Sequence, residues 1–131
     1  MTLFSGAGAS RLVFDRVRIQ NNTDGLLIQG TGLAAANVHV RDSLVVRNTR
    51  NGITAARTAT VFVDHTSASD NGAAGILATA PGATVILGGA TITRNGTGLV
   101  ATSGGTIESY QNNQASGNDS DGLSPLTLPL K

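Results

Sequence analysis

The sequence predicts an all-β parallel solenoid of about five turns, on three observations. A motif of 23 to 26 residues recurs along the chain. One slot of that motif holds asparagine every time: Asn22, Asn48, Asn71, Asn95 and Asn118. No stretch keeps a 3.6-residue apolar period, because Gly and Asn interrupt every candidate helix.

The clearest copy is Val85–Ala101, VILGGATITRNGTGLVA, and the other turns align to it. Its inward anchor, Leu87, matches Phe14, Val40, Val63 and Tyr110. Two residues before the anchor stand Leu12, Val38, Val61 and Val85, with Glu108 breaking the series. Five residues after it stand Ile19, Val45, Ala68, Ile92 and Ala115, all apolar. The asparagine comes three residues later, followed by Gly25, Gly52, Gly75, Gly98 or Gly122 before Leu or Ile. Short alternating runs such as Val38-His39-Val40 between these bends read as strands. Stacking puts equal slots over one another, about 4.8 Å apart. Asn tolerates a left-handed bend and can bond to the amides above and below it. The Gly supplies a positive φ or room for close packing. Residues 1–10 read as a lead-in with Leu3 and Phe4 as plugs, 11–124 as the solenoid, and 125–131 as a tail folded over the last turn.

Composition agrees with thin stacked layers. The chain has 131 residues with 17 Gly, three Phe, one Tyr and no Trp, too few large side chains for a thick layered core. A net charge of +1 gives no general pull toward nucleic acid. The absence of Cys excludes disulfides and thiolate metal sites. No apolar run approaches the roughly 18 residues a membrane helix needs. A chain complete at its ends is expected in the cytoplasm; a piece of a longer solenoid is expected to be exported.

From about Arg11 to Leu123 the turns resemble the right-handed parallel β-helix repeat of the pectate-lyase-like superfamily. The closing stretch SYQNNQASGNDSDGL is similar to the last turn of bacterial β-helix repeat proteins. The resemblance implies a right-handed parallel β-helix. It leaves activity open, since this fold carries lyases, hydrolases, epimerases, adhesins and tailspikes.

Two enzyme motifs of that superfamily can be compared with this chain. Asn22-Thr23-Asp24-Gly25 resembles the polygalacturonase NTDG motif. The next turns offer Asn48-Thr49-Arg50-Asn51 and Asn71-Gly72-Ala73-Ala74, without the aspartate pair and His-Gly that accompany it. Inverting hydrolysis needs a second carboxyl, so Asp24 reads as a bend residue. Lyases of the fold use clustered acids for calcium and a basic residue for proton abstraction. The one cluster here is Asp15, Arg16, Arg41, Asp42, Asp64 and His65. In register it becomes the columns Asp15-Arg41-Asp64 and Arg16-Asp42-His65, and a third column reads Arg47-Asp70-Arg94. Alternating sign suits ionic ladders on a wall, since neighbouring like charges would repel. His65 with Asp42 and Asp64 is the weak catalytic candidate that remains. No cofactor and no metal are expected.

Outward positions form two columns: Val13, His39, Phe62, Ile86 and Ser109, and Leu27, Thr54, Leu77, Val100 and Ser124. Val13, Phe62, Ile86, Leu27, Leu77 and Val100 form an apolar candidate interface that a solvated wall would not need. A homo-oligomer through this strip or through a solenoid end is the expected partner, with no nucleic acid and no membrane. Carbohydrate binding lacks the aromatic platforms that would support it. The expected function is a non-catalytic scaffold or interaction module, the C-terminal part of a longer protein and prone to self-association. The alternative is a carbohydrate-active lyase or hydrolase.

Overall fold

The computed structural model describes residues 1–4, 8–31 and 34–129. The side chains of Leu3 and Phe4, expected as plugs, lie outside the described residues, as do Leu130 and Lys131. The chain climbs through three parallel sheets, visiting each once per circuit. The first sheet stacks β1 (Thr2–Phe4), β4 (Leu26–Gln29), β7 (Ile53–Ala56), β10 (Ala74–Thr79), β13 (Thr97–Thr102) and β16 (Ser120–Gly122). The second stacks β2 (Ser10–Asp15), β5 (Ala36–Arg41), β8 (Ala59–Asp64), β11 (Thr84–Gly88), β14 (Thr106–Ser109) and β17 (Leu126–Thr127). The third stacks β3 (Arg18–Gln20), β6 (Leu44–Val46), β9 (Ser67–Ser69), β12 (Thr91–Thr93) and β15 (Gln114–Ala115). Five circuits are complete and a sixth is begun. The tail contributes β17, which pairs Leu126 with Glu108 and Thr127 with Ser109.

Alternation within each strand sends one set of side chains into the shared interior. Val38, Val61 and Val85 stack there in register, as do Val40, Val63 and Leu87, all buried. Val45, Ala68 and Ile92 fill the third wall, and Leu26, Ile53, Ile76 and Leu99 the first. Each buried Val, Leu or Ile contributes roughly 1.5–3 kcal/mol of transfer free energy, and only its neighbours above and below make that burial complete.

The asparagines form a single file. Asn22 donates its backbone N–H to Asn48 Oδ1, Asn48 to Asn71, Asn71 to Asn95 and Asn95 to Asn118, at 2.9–3.1 Å. The left-handed backbone expected at these asparagines falls instead on the residue before each one. Asn21, Arg47, Asp70 and Arg94 have φ between 53 and 59°. The Asn side chain then closes the bend that its predecessor opens.

The Gly file works by closeness. A Cβ on Gly52 would lie 2.6 Å from the Gly75 carbonyl oxygen and 2.8 Å from Asn71 Nδ2. Backbone in the next turn occupies the volume that a side chain would need.

The last turn departs from the expected register. Leu87 pairs with Ser109, so Ile107 and Ser109 point inward, Glu108 stands opposite Ile86, and Tyr110 faces out. Between the paired positions Leu87/Ser109 and Thr91/Gln114 the last turn holds one residue more, which restores the Asn118 alignment. Asn112 and Asn113 fill this corner, their Oδ1 atoms accepting from the backbones of Gly89 and Ala90. Gly122 likewise pairs with Leu99 rather than Gly98.

Candidate functional site

The acid–base candidates come apart when placed on the wall. His65 Nδ1 lies 2.8 Å from Asp64 Oδ1, but the His65 side chain is 66% exposed on a corner with φ 42°. Arg16 and Asp42 occupy the same corner on lower turns with φ 52 and 48°. Their side chains leave the bend toward solvent, and among the described residues no ion pair joins Asp42 to His65. Asp24 accepts a hydrogen bond from Asn51 Nδ2 at 3.1 Å and pairs with Arg50 at 3.5 Å. It ties one bend to the next, and among the described residues no second carboxyl pairs with it. Among the described residues, no three His, Cys, Asp or Glu are grouped to hold a metal ion.

The charge columns are only partly ladders. Arg41 Nη2 reaches Asp15 at 3.0 Å, and Arg94 grips Asp70 with two bonds of 2.7 and 2.9 Å. Among the described residues, the remaining steps of the three columns are aligned without direct ion pairs. One guanidinium serves one carboxylate, and Asp64 is engaged by His65. The hydrogen bond from Arg41 holds Asp15 below the usual carboxylate range, and that from Arg94 does the same for Asp70. Asp70 in turn raises the Arg94 guanidinium. These are pairs on a solvated wall.

The outer face of the second sheet carries an aligned file of side chains and two shallow cavities. Val13, His39, Phe62, Ile86 and Glu108 line up in one file across five strands. Glu108 stands where Ser109 was expected, for the register reason given above. Val13 is 60% and Phe62 39% exposed, and the His39 and Phe62 rings meet at 5.9 Å in a tilted pair. A cavity of about 260 Å³ opens here, lined by His39, Phe62, Val63, Asp64, Ile86, Gly88 and Tyr110. A second, of about 240 Å³, continues it past Leu12 and Val13.

The other expected strip lies on the first sheet. Leu27, Thr54, Leu77 and Val100 align there, and because Leu99 pairs with Gly122 the step above Val100 falls on Leu123 rather than Ser124. The three apolar members are half-buried and Thr54 is buried. Phe62 and Ile86 line the first of the two second-sheet cavities and Val13 the second.

Tyr110, read from the sequence as an inward anchor, and His39, read as outward without a role, both line the first of these cavities. Tyr110 was expected inward because the repeat was counted back from Asn118. Glu108 at an inward slot was the signal: moving the register by one residue buries Ile107 and frees Tyr110.

The sequence profile described as "Right handed beta helix region" matches residues 3–124. No curated protein and no solved structure matches the chain significantly. With three parallel sheets, an internal asparagine file and a profile match over nearly its whole length, the chain belongs to the right-handed beta helix family.

Proposed function

We propose that the protein is a non-catalytic scaffold that presents the outer face of its second sheet to a binding partner. The file Val13–His39–Phe62–Ile86 carries this reading, because a wall serving only to be wetted has no need of aligned apolar groups. The dispersal of Asp24, Asp42 and His65 supports the same reading, since general acid–base chemistry requires groups within hydrogen-bond reach of one reacting atom.

The test incubates the protein with acidic and neutral polysaccharides and follows reducing ends and unsaturated uronate absorbance. No turnover above a boiled control is expected. Turnover that falls on His65→Ala or Asp64→Asn would replace this reading with a carbohydrate-active enzyme. Sedimentation velocity on the same samples asks whether a second copy occupies the face.

A further inference from the structure

Above the middle of the second sheet the outer face is hollowed at Gly88. This residue pairs with Asp64 on the strand before it, and Tyr110 donates its N–H to Leu87 on the same strand as Gly88. A Cβ on Gly88 would stand 3.4 Å from Asp64 Oδ1 and 3.7 Å from Tyr110 Cδ2. A carboxylate and an aromatic ring thus border the space that the missing side chain leaves. Ile86 lies beside Gly88, and Phe62 with His39 closes the far wall. Phe62 and Tyr110 stand two strands apart and two residues out of register, about 12 Å between backbones, with Ile86 and Gly88 on the strand between them.

Asp64 is the one acidic residue lining this cavity. Arg41, its neighbour in the charge column, points its guanidinium at Asp15 instead. Among the described residues the only ion-pair partner of Asp64 is the exposed His65. A carboxylate set among ring faces and aliphatic carbon complements a cation that carries an apolar stem. A second cavity of about 240 Å³ continues this one past Leu12 and Val13, so the groove extends beyond one side chain and suits a stretch of polypeptide whose cationic residue reaches Asp64.

We infer that this cavity receives an arginine side chain of a docked polypeptide, its guanidinium at Asp64 and its stem over Ile86, between Phe62 and Tyr110. The inference rests on the binding-face reading above and names the chemistry of the partner.

N-acetyl-arginine N-methylamide is the probe, titrated into the full chain and followed through the backbone amide signals of Asp64, Gly88, Gly89 and Tyr110. The neutral citrulline analogue is the control. The arginine probe should shift these signals, and the citrulline analogue should bind at least about fivefold more weakly, as loss of an ion pair and a cation–π contact implies. Asp64→Asn should weaken binding by a similar factor, whereas Asp70→Asn, on a different corner, should leave it unchanged. Gly88→Ala places a methyl in the slot at ordinary contact distances, so it should fold normally and bind more weakly. Equal binding of both probes, undiminished binding by Asp64→Asn, or no shift at these amides overturns the inference. A dimer that Phe62→Ser dissolves, with no arginine binding, would overturn it too and give the face to a second copy, leaving the binding-face reading intact. Polysaccharide turnover abolished by His65→Ala would instead remove that broader reading.

Discussion

Asn71 Oδ1 accepts two hydrogen bonds from Asn48, one from its backbone N–H at 3.1 Å and one from its side-chain amide at 2.9 Å. Asn95 treats Asn71 in the same way, at 3.0 and 2.9 Å. Each oxygen therefore satisfies two buried donors of the turn before it. Asn71→Ala orphans both donors of Asn48 and is expected to lower stability by about 2–4 kcal/mol. Urea denaturation measures this, and a loss below about 1 kcal/mol would show that the file is dispensable.

The glycine file makes a steric prediction. Gly52→Ala would push a methyl to 2.6 Å from the Gly75 carbonyl oxygen, where only backbone can yield. Overpacking of this kind costs about 1–3 kcal/mol or more. Gly88→Ala, whose added carbon would stand 3.4 Å from Asp64 Oδ1 and 3.7 Å from Tyr110 Cδ2, is the matched control and should leave the thermal midpoint in place.

Acid should act on the Arg94–Asp70 pair. The hydrogen bond from Arg94 lowers the Asp70 pKa in the folded state, so its stabilisation is full above the unfolded value and fades as pH falls through the folded one. The pair stands in solvent, so this contribution is no more than about 1 kcal/mol and should shrink in salt. Asp70→Asn is expected to lose this contribution at neutral pH and to converge on the parent below about pH 4, so that its stability falls less steeply in acid. A mutant profile identical to the parent's would show that the pair contributes nothing.

Register sets the contrast between the two faces of a sheet. Ile76→Ala empties a fully buried slot and should cost about 2–5 kcal/mol. Phe62→Ser, on an outward position, should cost less than about 1 kcal/mol. Chemical denaturation of the two variants side by side checks the assignment, and comparable losses would contradict it.

Much of this architecture was legible because repetition does what propensity alone does not. Five asparagines at one offset fix the alignment of every turn, and the apolar slots then fall into place. The last turn resisted for a local reason: one extra corner residue before Asn118 shifted Tyr110 and Glu108 by one position, which in a strand means the opposite face. The left-handed residues were misplaced by one for a similar reason. Asn is the familiar residue for that conformation, yet here Arg47, Asp70 and Arg94 adopt it so that Asn48, Asn71 and Asn95 can turn inward. The cavity was hidden because it depends on what Gly88 lacks. A glycine in a strand carries no label that separates a gap from a bend.

The first repeat is longer than the others, and its surplus lies in one place, between β4 and β5, where residues 30–35 join strands that Arg57 and Thr58 join one circuit later. The sheets on either side keep their pairing across this difference, Leu26 with Ile53 and Ala36 with Ala59. A corner of changed length is therefore accommodated in the connection between sheets, and the ladders on either side close as they do elsewhere.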